Sequence, residues 1–113
     1  MRGLKDKVAI ITGAAGGIGR SLVQRFLEEG ARVAALDLNQ AGLDEIKGQF
    51  QQYAGQLTTA QLDITDHDAV AKAVQKIHAD LKQIDILVNN AGWDAVGPVS
   101  YTHLRAHETR EDL

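Results

Sequence analysis

Short, unbroken apolar runs alternate with amphipathic stretches along this chain, and that alternation narrows the fold more than any other feature. Lys7-Val-Ala-Ile-Ile-Thr12 is β-branched and almost free of polar residues, the pattern of a strand buried on both faces. After it, Ile18, Leu22, Val23, Phe26 and Leu27 recur at helical spacing until Glu28, Glu29 and Gly30 close the helix. Arg32-Val-Ala-Ala-Leu-Asp37 is a second such run, followed by a weaker helix from about 39 to 50 with Leu43, Ile46 and Phe50 on one face. Residues 57–62 read as a third strand, less sharply marked at its Thr-Thr-Ala centre. Thr65-Asp-His-Asp68 resembles a capping box, and Val70, Val74, Ile77 and Leu81 form one apolar stripe behind it. Ile84-Asp-Ile-Leu-Val-Asn89 is the fourth strand. The order β-α-β-α-β-α-β predicts an α/β fold, a doubly wound parallel sheet with strands near 7–12, 32–37, 57–62 and 84–89 in the order 3-2-1-4. The first two helices are expected on one face of it and the third on the other.

The glycines between the first strand and first helix carry the chemistry. In Thr12-Gly-Ala-Ala-Gly-Gly-Ile-Gly19 they allow a tight turn and a close backbone approach to a pyrophosphate, whose charge then meets the free N–H groups of the helix N-terminus. A plain strand–helix turn uses the same residues. What favours a dinucleotide is Asp37, which ends the second strand roughly 20 residues on, where an acid meets the adenosine ribose hydroxyls; its bland alternative is a helix cap.

Composition removes other classes. Twelve Lys+Arg against fifteen Asp+Glu give a net charge of −3, which offers no footprint for nucleic acid or an anionic membrane. There is no cysteine, hence no disulfide framework and no thiolate metal site. No apolar run approaches the roughly 20 residues of a membrane span. Arg2, Lys5, Asp6 and Lys7 stand where a signal peptide would place its apolar core, so the expected location is the cytoplasm. His103, His107 and Glu111 have the spacing of ligands on one helix face, but a solvated tail is the better reading and no metal site is expected.

Three spaced motifs resemble the short-chain dehydrogenases/reductases. Their Thr-Gly-x-x-x-Gly-x-Gly fingerprint is met by Thr12, Gly13, Gly17 and Gly19; their acid after the third strand by Asp63, followed by Ile64 and Thr65; their Asn-Asn-Ala-Gly by Asn89-Asn90-Ala91-Gly92. The resemblance implies a Rossmann-type sheet and cofactor contacts from Gly13, Ala15, Gly16, Gly17, Ile18 and Gly19. It adds Asp37 and Leu38 beside the ribose, and Asp63 and Ile64 at the adenine, with Asp63 on the amino group. Ala91 and Gly92 are implied against the cofactor, and Asn89 as a brace between central strands. A carboxylate at Asp37 repels a 2′-phosphate, and neither Leu38 nor Gly16 supplies a compensating base, so NAD is expected over NADP.

The family's catalytic Ser, Tyr-x-x-x-Lys and helix Asn lie beyond the fourth strand. Tyr101-Thr-His-Leu-Arg105 has an always-protonated Arg in the Lys place, so no catalytic residue is assigned and this chain alone is expected to be inactive. The expected organisation is a binding unit over 1–98, truncated after its fourth strand, and a disordered or foreign tail over 99–113. Residues 99–109 of that tail resemble the conceptual translation of a transposase adapter used in sequencing libraries. The whole enzyme would be a homo-oligomer moving hydride between nicotinamide and a small hydroxy or keto substrate. Asn-Asn-Ala-Gly followed by Trp93-Asp94 and Gly97-Pro98 is similar to members acting on hydroxyacyl thioesters. Two alternatives stand beside this: a non-catalytic NAD-binding sensor, and a methyltransferase-like domain, which also places glycines after a first strand.

Overall fold

In a computed structural model of the chain, whose described residues are 4–90, the alternating pattern becomes one four-stranded sheet. The strands are β1 (Val8–Thr12), β2 (Arg32–Asp37), β3 (Leu57–Gln61) and β4 (Ile86–Asn89). Helices α1 (Gly17–Glu28), α2 (Gln40–Gln49) and α3 (His67–Leu81) cross between them, and a 3-10 turn over Gln51–Gln56 carries α2 into β3. All pairings are parallel and the order is β3-β2-β1-β4, as the sequence predicts.

The apolar runs belong at the centre because both faces of the sheet are covered. Every residue of β1 is buried, and so are the four inner residues of β2. Successive side chains of β1 go to opposite faces, as the two-residue period of a strand requires. Ala9 and Ile11 pack with Val23, Phe26 and Leu27 of α1 and with Leu43 and Ile46 of α2. Val8 and Ile10 pack on the other side with Ile77 of α3. The two helical faces are unequal: Val74 and Leu81 of α3 are half-buried, and Ile77 is its one buried residue. Each fully buried Val, Leu or Ile contributes roughly 1.5–3 kcal/mol, so the α1/α2 face holds most of the apolar stabilisation.

The ends of the elements depart from the sequence reading in places. Glu28, Glu29 and Gly30 do close α1: Gly30 at φ 90° donates to Leu27 O and Ala31 donates to Phe26 O, both at 3.0 Å, the double bond of a Schellman turn. The cap of α3 is Asp66 rather than Thr65: Asp66 accepts from Ala69 N, while the Thr65 hydroxyl and N–H both donate to Asp63. The fourth strand begins at Ile86, two residues late. Ahead of it the Asp85 carboxylate replaces a ladder bond by accepting from Val8 N at 2.9 Å. Ala91, Gly92, Tyr101, the histidines at 103 and 107 and the whole 99–113 segment lie outside the described residues.

α3 ends on Lys82 in the left-handed region, φ 73°, donating its N–H to His78 O. An L side chain there costs about 1–2 kcal/mol, part of which glycine's larger unfolded-state entropy offsets. Lys82→Gly is expected to raise stability by roughly 0.5–1 kcal/mol in urea denaturation.

Candidate functional site

The carboxyl ends of the parallel strands gather at one edge of the sheet, where β1 runs through Gly13–Gly16 into α1. Two glycines of this loop are required by the fold itself. Gly13 has φ 63°, a conformation that L side chains rarely adopt. Gly19 lies so close to the preceding loop that a Cβ on it would sit 2.1 Å from Gly13 O and 2.7 Å from Ala14 Cα. Gly16 and Gly17 differ. A Cβ on Gly16 would make only an ordinary contact, 3.6 Å from Gly13 O, and one on Gly17 would meet nothing within 4 Å. Gly16 is extended, at φ −76° and ψ 172°, and Gly17 opens the helix with no side-chain cap on its first N–H groups. Neither glycine is needed for the chain's own conformation. The Gly16 N–H donates to Gly13 O at 3.3 Å, whereas Gly17 presents bare backbone to open space at the uncapped start of α1, the arrangement of an anion site.

Asp37 is not a helix cap. Asn39 caps α2 by accepting from Gly42 N, whereas Asp37 Oδ2 accepts from Ala15 N and Oδ1 from Asn39 N, each at 2.9 Å. The acid at the end of β2 is thus a strut under the glycine loop. Three residues that sequence reasoning missed hold the same loop. Arg20 Nε donates to Ala15 O at 2.8 Å, its Nη2 meets Glu45 Oε1 at 2.6 Å, and Gly42 lets α2 approach until its missing Cβ would stand 2.6 Å from Ala15 Cβ. The available signal was Gly42 itself, since a glycine inside a helical pattern is costly without a packing reason.

The acid after β3 joins the same edge. Thr12, Gly13, Leu36, Asp37, Leu38, Leu62, Asp63 and Ile64 line a cleft of about 130 Å³. Expected residues from all three strand ends therefore meet, together with Leu36 and Leu62, which the sequence reading did not name. Leu38 is 61% exposed and Ile18 49% exposed, large apolar side chains in water beside the loop. Asp63 Oδ1 accepts from Thr65 Oγ1 at 2.6 Å and Thr65 N at 2.9 Å, and these two bonds, the hydroxyl first, hold its carboxyl below the ordinary carboxylate value. A depressed folded-state value means the bonds stabilise the fold above the ordinary carboxylate range and are lost as pH falls through the lowered value. In a carbon-13 NMR titration Asp63 is expected to protonate below the ordinary carboxylate value, and Thr65→Val to move its midpoint up. An unmoved midpoint would show that the hydroxyl does not act on it.

β4 closes the site from the other side of β1. Thr12 Oγ1 donates to Asn89 Oδ1 at 3.0 Å, a side-chain tie between β1 and β4. Its neighbour Asn90, for which no role was expected, donates from Nδ2 to Gly13 O at 3.1 Å and fixes the start of the loop.

With this geometry in hand, the chain matches the short chain dehydrogenase family over residues 7–110, which takes in part of the segment expected to be a tail. It is 43% identical over 89 residues to 3beta-hydroxysteroid dehydrogenase 2 of Eggerthella lenta, covering 79% of this chain and 34% of that protein. The fold is similar to that of 3-ketoacyl-(acyl-carrier-protein) reductase from Brucella melitensis complexed with NADH, with a TM-score of 0.67 and 32% identity over 74% of this chain and 33% of that one. It is also similar to an NAD+-bound xylitol dehydrogenase, with a TM-score of 0.74 and 29% identity over 89% of this chain and 41% of that one. The chain thus spans about a third of the length of the curated relative, and the methyltransferase-like alternative is left without support. No helix among the described residues is long and apolar enough to cross a membrane.

Proposed function

The chain belongs to the short-chain dehydrogenase family, and from that premise we propose that its site holds a dinucleotide, NAD(H) in preference to NADP(H). The observation that carries this reading is the unused space at Gly16 and Gly17. Neither position needs a glycine for the fold's own torsion or packing, which leaves the backbone there open to the close approach of a ligand. A diphosphate lying over Gly16 and Gly17 would meet the N–H donors of the uncapped first turn of α1. Asp37 would accept from the ribose hydroxyls through lone pairs beyond those on Ala15 N and Asn39 N, while Leu38, Asp63 and Ile64 would receive the adenine. Ala15 and Gly19 shape the loop, Ile18 would lie beside the cofactor, and Asn89 with Ala91 and Gly92 would border the nicotinamide side. The preference for NAD is supported by the carboxylate at Asp37 and the neutral Leu38 after it.

When bound, such a cofactor supplies the hydride donor or acceptor. The whole protein is proposed to work as a cytoplasmic homo-oligomer on a hydroxyl or keto carbon, with hydroxyacyl thioesters the favoured substrate class and residues 1–98 as the binding unit. The relatives' names, a hydroxysteroid dehydrogenase and a ketoacyl reductase, are in keeping with that carbon chemistry. Calorimetric titration of the chain with NAD+, NADP+ and S-adenosylmethionine tests the site without requiring turnover. NAD+ is expected to bind most tightly. Equal affinity for the two dinucleotides would overturn the preference, and no binding of either would overturn the reading.

A further inference from the structure

Ala15 is gripped at both ends of its backbone. Its N–H donates to Asp37 Oδ2 and its carbonyl accepts from Arg20 Nε, at 2.9 and 2.8 Å. One residue therefore separates a guanidinium from the carboxylate that would read the ribose, a span of at most about 10 Å from backbone bond lengths and two hydrogen bonds. That lies near one Debye length at physiological salt, and a guanidinium is the side chain best shaped to pair with phosphate. Neither Leu38 nor Gly16 brings a cation to the loop; Arg20 does, by folding back from the first turn of α1.

Arg20 is already engaged. Glu45, on α2, meets its Nη2 at 2.6 Å, which neutralises the charge and draws the head group toward α2. The side chains of Arg20 and Glu45 are 31% and 65% exposed, so the pair sits at the surface, where such contacts are weak and one partner is removed at small cost to the fold.

We propose that Glu45 is a specificity-determining positioning residue: by holding Arg20 against Ala15 and α2, it withholds the cation from a 2′-phosphorylated dinucleotide. This rests on the reading of the cleft as a dinucleotide site. Glu45 itself touches no ligand. Its effect passes through the guanidinium, which, once released, swings on its long stem and competes with Asp37 for the field at the 2′ position.

The test is calorimetric titration of the full chain with NAD+ and NADP+, in wild type, Glu45→Gln, Glu45→Ala and the double variant Arg20→Gln/Glu45→Gln, with thermal melts to check folding. Both single variants are expected to shift the affinity ratio 3–10-fold toward NADP+. The shift should shrink in concentrated NaCl and vanish in the double variant. A merely structural role would lower both affinities together and leave the ratio and its salt dependence unmoved. A ratio within twofold of wild type in both single variants overturns the proposal, as does a shift that survives removal of Arg20. Wild-type chain that binds NAD+ while the ratio stays fixed defeats the proposal alone; wild-type chain that binds neither dinucleotide defeats the site reading and the proposal together.

Discussion

Gly19→Ala is expected to cost about 3 kcal/mol or more and to lower the melting temperature by at least 10 °C, on the usual scaling for a domain of this size. The added Cβ would stand 2.1 Å from Gly13 O and under 3 Å from two backbone atoms of Ala14, so no rotamer change relieves it. The first turn of α1 must move away from the loop, and with it Val23, Phe26 and Leu27, which cover one face of the sheet. Net stabilities of 5–15 kcal/mol leave little room for such a loss. Gly17→Ala is the informative partner. Nothing lies within 4 Å of its Cβ and alanine favours the helix, so its melting temperature is expected to hold or rise while NAD+ affinity falls tenfold or more. Circular dichroism melts with NAD+ titrations separate the two cases. If Gly17→Ala binds NAD+ like wild type, the open space at that glycine is not where a diphosphate lies.

Asp37→Ala is expected to act on folding and on cofactor choice at once. Its two oxygens accept from Ala15 N and Asn39 N, and removing them leaves a half-buried loop donor and the approach to α2 without partners. Lost bonds to a charged acceptor are worth roughly 1.5–3 kcal/mol each in protected sites; solvent at this half-exposed position brings the total to about 1–2 kcal/mol. NAD+ affinity is expected to fall at least tenfold, from the lost ribose acceptor and from the loosened loop. NADP+ affinity should fall less, because repulsion of a 2′-phosphate goes with the carboxylate. Parallel loss of both affinities would leave Asp37 a strut and no reader of the ribose.

The strands and helices were legible because burial imposes its period on the chain. Val8–Thr12 and Arg32–Asp37 are nearly all apolar since both of their faces are covered, and a parallel order follows once helices separate them. The glycine loop, Asp37 and Asp63 were legible for a related reason: each follows directly on a strand, and parallel strands bring their ends to one edge wherever the chain goes between them. The boundaries were less legible. Thr65 has the residue type and spacing of a cap, yet its hydroxyl turns back to donate to Asp63, and it is Asp66, one residue on, whose carboxylate accepts from Ala69 N and caps α3.

By itself, then, the sequence determined the α/β order, the strand order, the faces taken by the helices and the family, because these depend on periodicity and on residues close together in the chain. The tertiary structure alone decided that Asp37 props Ala15, that Arg20 is turned aside by Glu45, that Gly42 admits α2 to the loop, and that Asn90 pins Gly13. These contacts join residues far apart in the chain, and no local pattern encodes them. It also sorted the glycines. Four stand in one short cluster and look alike in sequence, but Gly13 and Gly19 answer to the chain's own torsion and packing, whereas Gly16 has room for an ordinary contact and Gly17 faces open space, a distinction visible only once the atoms around each missing Cβ are in place.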